Sequence, residues 1–387
     1  MHKNLSKILR CYRRQCYNST AKPCWIRRDN NLQNGINLHG YFLSEIGLGE
    51  SVRLLYKSLS TQKLQLAACN LPLEGRQNEK SFANILSEDA PYKFGLTVDG
   101  LTGFKGMRRN ICAQKFNIAV PFWELDNIPA KYIDYLKKFD TIWAPSTFIS
   151  EILNKYRFND LELIKHPVQL PLVEPQYLNI SGTLKILFYF DFDSYPARKN
   201  PEAAVYAFKQ AFPTREDVAL TIKTRGGRDQ GRRHWLAQQT SGDPRIAVVD
   251  RLLSPTEMDE LMESHHVFLS LHRSEGLGLG CAEALAAGKA VIATDYGGST
   301  DFINVHTGFP VEWSPVKVGS EDYVLSENSS WADPSVDHAA KLLRSIYENP
   351  MDARERVKYG FKHLVDNHSY ETVGNRLLEK LSQRGLQ

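Results

Sequence analysis

Short apolar runs recur along the chain, separated by stretches whose apolar residues fall three or four apart. Runs at 35–42, 64–69, 94–98, 116–122, 141–144 and 161–165 predict buried strands. Segments 130–139 and 148–156, and the stripe of Val52, Leu55 and Leu59, predict helices between them. Strands alternating with helices are the mark of a doubly wound parallel sheet. Residues 166–182 carry Pro167, Pro171 and Pro175 without periodicity and read as a linker. The alternation then restarts, with strands at 184–189, 218–224, 245–250, 267–271, 290–294 and 308–311. Helices are predicted at 202–212 and 255–264, around Ala339, Leu342, Leu343 and Ile346, and at 370–381. The pattern therefore divides into a basic extension (1–32), a first α/β domain (33–167), a second (168–365) and a final helical segment (366–387). No repeat or low-complexity tract interrupts it.

Composition narrows the classes. At 387 residues, 42% hydrophobic and 24% charged, the chain suits two globular domains. A net charge of +4 is too small to point to nucleic acid and agrees with an anionic small ligand or membrane surface. The six cysteines form no C-x-x-C pair and no zinc spacing, which favours a reduced, cytoplasmic setting without structural metal. Residues 1–28 hold eight Lys and Arg and no acid, with Leu5, Ile8, Leu9, Tyr12 and Cys16 at helical spacing. This stripe would rest on an anionic membrane, such as the inner face of the plasma membrane, or pack on its own domain, with a targeting presequence a weaker third reading.

Chemistry concentrates at 267–301. An apolar strand runs into His272-Arg273-Ser274-Glu275-Gly276-Leu277-Gly278-Leu279-Gly280, followed by a helix holding Glu283 and closed by Gly288, and then by the next strand. In a parallel sheet such a loop lies at the carboxyl edge, where ligands bind. Its glycines admit backbone N–H groups to an anion, and the helix N-terminus adds partial positive charge. Glu275 would sit in this loop and Glu283 in the first helical turn. Arg198-Lys199 precedes another helix, with Asn200 as candidate N-cap and Pro201 at N1; two cations there suit a diphosphate. Asp191-x-Asp193 invites a rival reading as a divalent-metal site. A smaller glycine pair, Gly47 and Gly49, precedes the first helix of the chain, and Trp123-Glu124-Leu125-Asp126 and Trp143-Ala144-Pro145-Ser146 leave strands of the first domain.

Glu-x7-Glu around Gly-x-Gly-x-Gly, followed by Ala-Ala-Gly and Tyr-Gly-Gly, closely resembles the nucleotide-sugar site of retaining glycosyltransferases of the large family four (glycosyl transferases group 1). The resemblance covers nearly all of residues 33–365. It implies a GT-B fold, two Rossmann-like domains facing a cleft, with the last helix crossing back to the first domain. It implies catalytic roles for Glu275, Glu124 and His272, Glu124 standing where many relatives carry a histidine. It assigns nucleotide-sugar binding to Gly47, Gly49, Arg198, Lys199, Lys223, Arg273, Gly276, Leu277, Gly278, Leu279 and Glu283, with Glu283 on the ribose. The donor would be GDP- or UDP-linked, the acceptor a glycan or lipid-linked hydroxyl, in cell-surface polysaccharide or glycoconjugate synthesis. No cofactor or metal is implied. An epimerase on the same fold, or a non-catalytic nucleotide-sugar binder, remains the alternative.

Overall fold

The computed structural model describes residues 32–105, 116–227 and 229–386. The basic extension lies outside them, as do Cys11, Cys16, Cys24 and Cys112. The chain divides into two units. Unit 1 comprises residues up to Trp123, Ile128–Pro167 and Tyr370–Gln387, and unit 2 comprises Glu124–Asn127 and Val168–Ser369.

Unit 1 is built on six parallel strands, β1 (Gln33–Gly40), β2 (Leu66–Asn70), β3 (Tyr92–Gly100), β4 (Phe116–Phe122), β5 (Thr141–Ala144) and β6 (Leu161–Leu163), in the order β2-β1-β3-β4-β5-β6. Helices α1 (Gly47–Ser60), α2 (Ala130–Leu136) and α3 (Thr147–Asn154) connect them. The apolar faces of β1, β3 and β4 bury Ile36, Leu38, Phe94, Leu96 and Ile118. The core is completed from the far end of the sequence by Val373, Leu377 and Leu381 of a helix spanning Tyr370–Ser382. Gly374 sets how closely that helix lies on α1: a Cβ there would stand 2.4 Å from the Ser58 carbonyl oxygen and 2.7 Å from Thr61 Oγ1. Ser58 Oγ in turn donates to the Tyr370 carbonyl at 2.7 Å.

Unit 2 repeats the plan with β7 (Leu184–Tyr189), β8 (Val218–Thr224), β9 (Ile246–Asp250), β10 (Val267–Ser270), β11 (Ala290–Thr294) and β12 (Phe309–Val311), all parallel, in the order β12-β11-β10-β7-β8-β9. Its first and fourth strands, β7 and β10, are neighbours. Connections run to opposite sides from that point, the doubly wound arrangement in which a crevice opens at the carboxyl ends of the two central strands. The periodicity had not separated an antiparallel hairpin, β13 (Trp313–Lys317) with β14 (Ser330–Pro334), or the helices Gln230–Thr240 and Pro350–His368. Asn200 takes a left-handed conformation (φ +55°) and its side chain makes no capping bond, so the expected N-cap is replaced by a backbone turn ahead of Pro201. Among the described residues no helix is long and apolar enough to cross a membrane.

Gly374→Ala is expected to lower the stability of unit 1 by about 2 kcal/mol, because the overpacking penalty exceeds the alanine's gain in helix propensity of about 1 kcal/mol. Urea unfolding followed by circular dichroism reads this; an unchanged or higher midpoint would mean that the helix is free to shift on α1.

Candidate functional site

At the switch point of unit 2 the chain leaves β7 through residues 190–195 and makes one helical turn, Pro196–Lys199. Tyr195 (φ +51°) and Asn200 (φ +55°), non-glycine residues on either side of that turn, are both left-handed, a conformation costing each roughly 1–2 kcal/mol. The segment after β10 holds them there. Arg273 N–H donates to the Arg198 carbonyl at 2.7 Å, and its guanidinium Nη1 to the Ala197 carbonyl at 2.9 Å. Arg273 also reaches Asp333 on β14 at 3.3 Å, and its carbonyl accepts from Ala332 N at 2.9 Å. Arg273, expected to touch sugar or phosphate, clamps the turn that presents the two cations.

Arg198 and Lys199 converge on one carboxylate. Glu275 Oε2 lies 2.8 Å from Arg198 Nη1, and Oε1 accepts from Lys199 Nζ. Burial alone would raise the Glu275 carboxyl, since only 12% of its side chain is exposed. Arg198 and then Lys199 overcome this and hold it down at about 2. Arg198 is 5% exposed. Burial disfavours its charge, but Glu275 and then Glu124 hold the guanidinium well above its ordinary value. Glu124 arrives on the short segment Glu124–Asn127. Its carbonyl accepts from Ser274 Oγ, its Oε1 is 3.9 Å from Arg198 Nη1, and its Oε2 accepts from the Tyr323 hydroxyl. Arg198 Nε is buried and has no hydrogen-bond partner among the described residues.

Behind Glu275 the loop turns into helix Leu279–Ala286. Gly278 opens it with φ +79°, and a Cβ there would strike Ser299 at 2.8 Å. Because the helix begins only at Leu279, Glu283 belongs to its second turn rather than the first, and no acid occupies the first turn. Glu283 is exposed and accepts from the Tyr189 hydroxyl at 3.1 Å. Gly280 makes room for that contact: its Cβ would lie 2.3 Å from the same hydroxyl oxygen. Gly276 and Leu277 pack against Gly298, whose Cβ would meet the Gly276 carbonyl at 2.2 Å. Gly288 closes the helix at φ +74°.

His272, expected at the sugar, is fully buried. Its Nε2 faces the Tyr296 carbonyl at 3.0 Å. A carbonyl only accepts, so Nε2 carries the proton and Nδ1 accepts from Ser270 Oγ at 2.9 Å. Burial lowers its pKa and keeps the ring neutral. Both nitrogens are spent inside the domain, making His272 a strut between β10 and the Tyr296 turn. Lys223 is buried near the end of β8. Asp191 pairs with Arg225 at 3.0 Å and Asp193 accepts from Gly227 N at 3.3 Å, so the Asp-x-Asp pair fastens the loop after β8. No group of three or more His, Cys, Asp or Glu is placed to hold a metal ion among the described residues. In unit 1, Gly47 and Gly49 open α1. Gly49 is fixed by packing, since a Cβ would lie 2.3 Å from the Ser44 carbonyl oxygen, whereas nothing stands within 4 Å of one at Gly47.

Sequence reasoning had not found Tyr189, Tyr323 or the buried Asp99 of unit 1. Burial raises Asp99 to about 7, and both its oxygens accept from Tyr41. Only Tyr189 carried a signal, as the last residue of a predicted strand.

Residues 185–363 match the family model described as glycosyl transferases group 1. A search of curated protein sequences found no match. Among solved structures the chain is similar to HepE of Anabaena in complex with UDP-glucose, at 12% identity and TM-score 0.67, covering 91% of this chain and 100% of that one. It is similar to sucrose-phosphate synthase of Thermosynechococcus elongatus at 16% identity and TM-score 0.66, covering 91% and 99%. For S. aureus TarM the identity is 14% and the TM-score 0.57, over 74% of this chain; the chain spans only 54% of TarM. Residues 185–363 thus match glycosyl transferases group 1, and the chain shares the GT-B fold of these structures.

Proposed function

We propose that the protein transfers a sugar, with retention, from a nucleoside diphosphate sugar to an acceptor hydroxyl. The observation that carries this reading is the pair of buried or half-buried cations, Arg198 and Lys199, meeting Glu275 at the switch point of a group 1 domain. In the reaction the bond from the anomeric carbon to the phosphate oxygen breaks, and the acceptor oxygen bonds to the same face. The acceptor's proton passes to an oxygen of the departing diphosphate. The largest catalytic contribution is stabilisation of that anion, for which Arg198, Lys199 and the amides opening helix Leu279–Ala286 are preorganised. Glu275, released from the cations by the diphosphate, orients sugar hydroxyls and favours positive charge on the ring. Glu283, exposed and steadied by Tyr189, takes the ribose hydroxyls. UDP is the first base to try, because HepE and TarM were solved with UDP-containing ligands. A glycan or lipid-linked acceptor follows from the family resemblance, as does a role in cell-surface polysaccharide or glycoconjugate synthesis. Transfer without a metal agrees with Asp191 being engaged by Arg225.

Three measurements test this. Thermal melting with UDP, GDP and ADP, each with and without EDTA, should show one diphosphate raising the melting point regardless of chelator. Saturation at a hundred times the dissociation constant adds roughly 2.7 kcal/mol. No shift with any of them would sink the reading, and a shift requiring metal would return Asp191 and Asp193 to the site. In calorimetric titration Glu283→Ala should weaken binding of that diphosphate about tenfold, and undiminished binding would remove Glu283 from the ribose.

Glu275→Gln should cut transfer by about a thousandfold without weakening diphosphate binding. The two cations hold the folded Glu275 carboxyl at about 2, below its ordinary 4.5. The stability it contributes, on the order of 3 kcal/mol, is therefore complete above the unfolded pKa and lost as pH falls through 2. The deficit of the glutamine variant should stay level from about pH 5 to 8 and shrink in acid. A deficit that does not change with pH would place the stabilisation elsewhere.

A further inference from the structure

Arg198 Nη1 has three acceptors within reach in unit 2: Glu275 at 2.8 Å, the Ser274 carbonyl at 3.1 Å and Glu124 at 3.9 Å. Two carboxylates against Arg198 and Lys199 would cancel the positive field that a diphosphate needs. Which carboxylate the guanidinium keeps therefore decides what it has left for a ligand. The Glu124 backbone is anchored beside Arg198 by Ser274 Oγ on its own carbonyl and, two residues on, by Asp126 accepting from Ser330 N at 2.9 Å. These anchors fix where Glu124 is but not which way its carboxylate turns.

Tyr323 fixes that. It lies on the loop between β13 and β14, 6% exposed, with its ring against Tyr195 at a centroid distance of 4.6 Å. The neighbouring Asp322 faces Arg232 at 3.8 Å. A phenol has one proton to give, and this one goes to Glu124 Oε2, drawing the carboxylate toward Tyr323 and leaving Oε1 at 3.9 Å from Arg198, the outer limit of an ion pair, against 2.8 Å for Glu275. Resting on the donor-site reading above, we propose that Tyr323 is a positioning residue that holds the Glu124 carboxylate off Arg198, so that the guanidinium keeps Glu275 as its one close anion and remains available to the diphosphate.

The test is a double-mutant cycle on the full chain, titrated with UDP and with GDP and followed by donor kinetics. Tyr323→Phe keeps the ring and removes the proton. In the native background it should weaken diphosphate binding about tenfold and raise the donor KM more than it lowers kcat. In a Glu124→Gln background the same change should cost nothing, because the carboxylate it controls is gone. An equal cost in both backgrounds would show an ordinary packing role and overturn the proposal, as would no cost in the native one. Should Tyr323→Phe fail to fold, Glu124→Gln alone decides: binding tightened about threefold supports the proposal, and unchanged or weaker binding overturns it. A native chain that binds neither diphosphate fails at the first titration, bringing down the donor-site reading and this inference together.

Discussion

A guanidinium with almost no exposure to water must be paid for by neighbours, and in unit 2 the placement of Arg198 governs what surrounds it. A buried charge without a partner costs several kcal/mol, so an anion at contact distance is obligatory, and Glu275 is that anion. For the pair to meet, the turn after β7 must bend through two left-handed residues, and Arg273 must spend its side chain holding that turn. Glu275 can reach Arg198 and Lys199 together because β7 and β10 are adjacent strands separated by a long stretch of sequence. The parallel sheet is what makes a local charge cluster out of distant residues.

The same cluster separates binding from rest. Its cations are satisfied internally, both on Glu275. On the donor-site reading proposed above, a diphosphate would enter by exchanging places with that carboxylate rather than by meeting bare charge. Glu275 would then serve twice on that reading, neutralising the cations and turning to the sugar once they are engaged.

Much of this was legible in the order of residues. Strands 116–122, 141–144, 184–189, 218–224 and 290–294 coincide with β4, β5, β7, β8 and β11, because largely buried parallel strands read as short, mainly apolar runs. The glycine-rich loop was legible because close backbone approach leaves no alternative residue. The shift of Glu283 into the second turn was not, since it depends on Gly278 taking a left-handed conformation that delays the helix. The β13–β14 hairpin escaped because Pro315 and Pro334 speak against strand, although an isolated two-stranded ribbon tolerates them. Tyr323 sits in the loop of that hairpin, and nothing in its neighbourhood signals that it faces Glu124, 199 positions away. His272 read as chemistry because it stands at a strand end just before Glu275; its place as an internal strut shows only in its contacts with Ser270, Tyr296 and Ser299.

The helix Tyr370–Ser382 carries a consequence for how the molecule comes into being. Unit 1 begins the chain, yet Val373, Leu377 and Leu381 enter its core only after the whole of unit 2 has been made. At ribosomal speeds of about 5–20 residues per second, the interval of roughly 200 residues between Pro167 and Tyr370 leaves α1 and the core beside it without this helix for about 10–40 s. The half synthesised first is therefore completed last. Unit 2, nearly continuous in sequence, has everything it needs before the core ahead of it is complete.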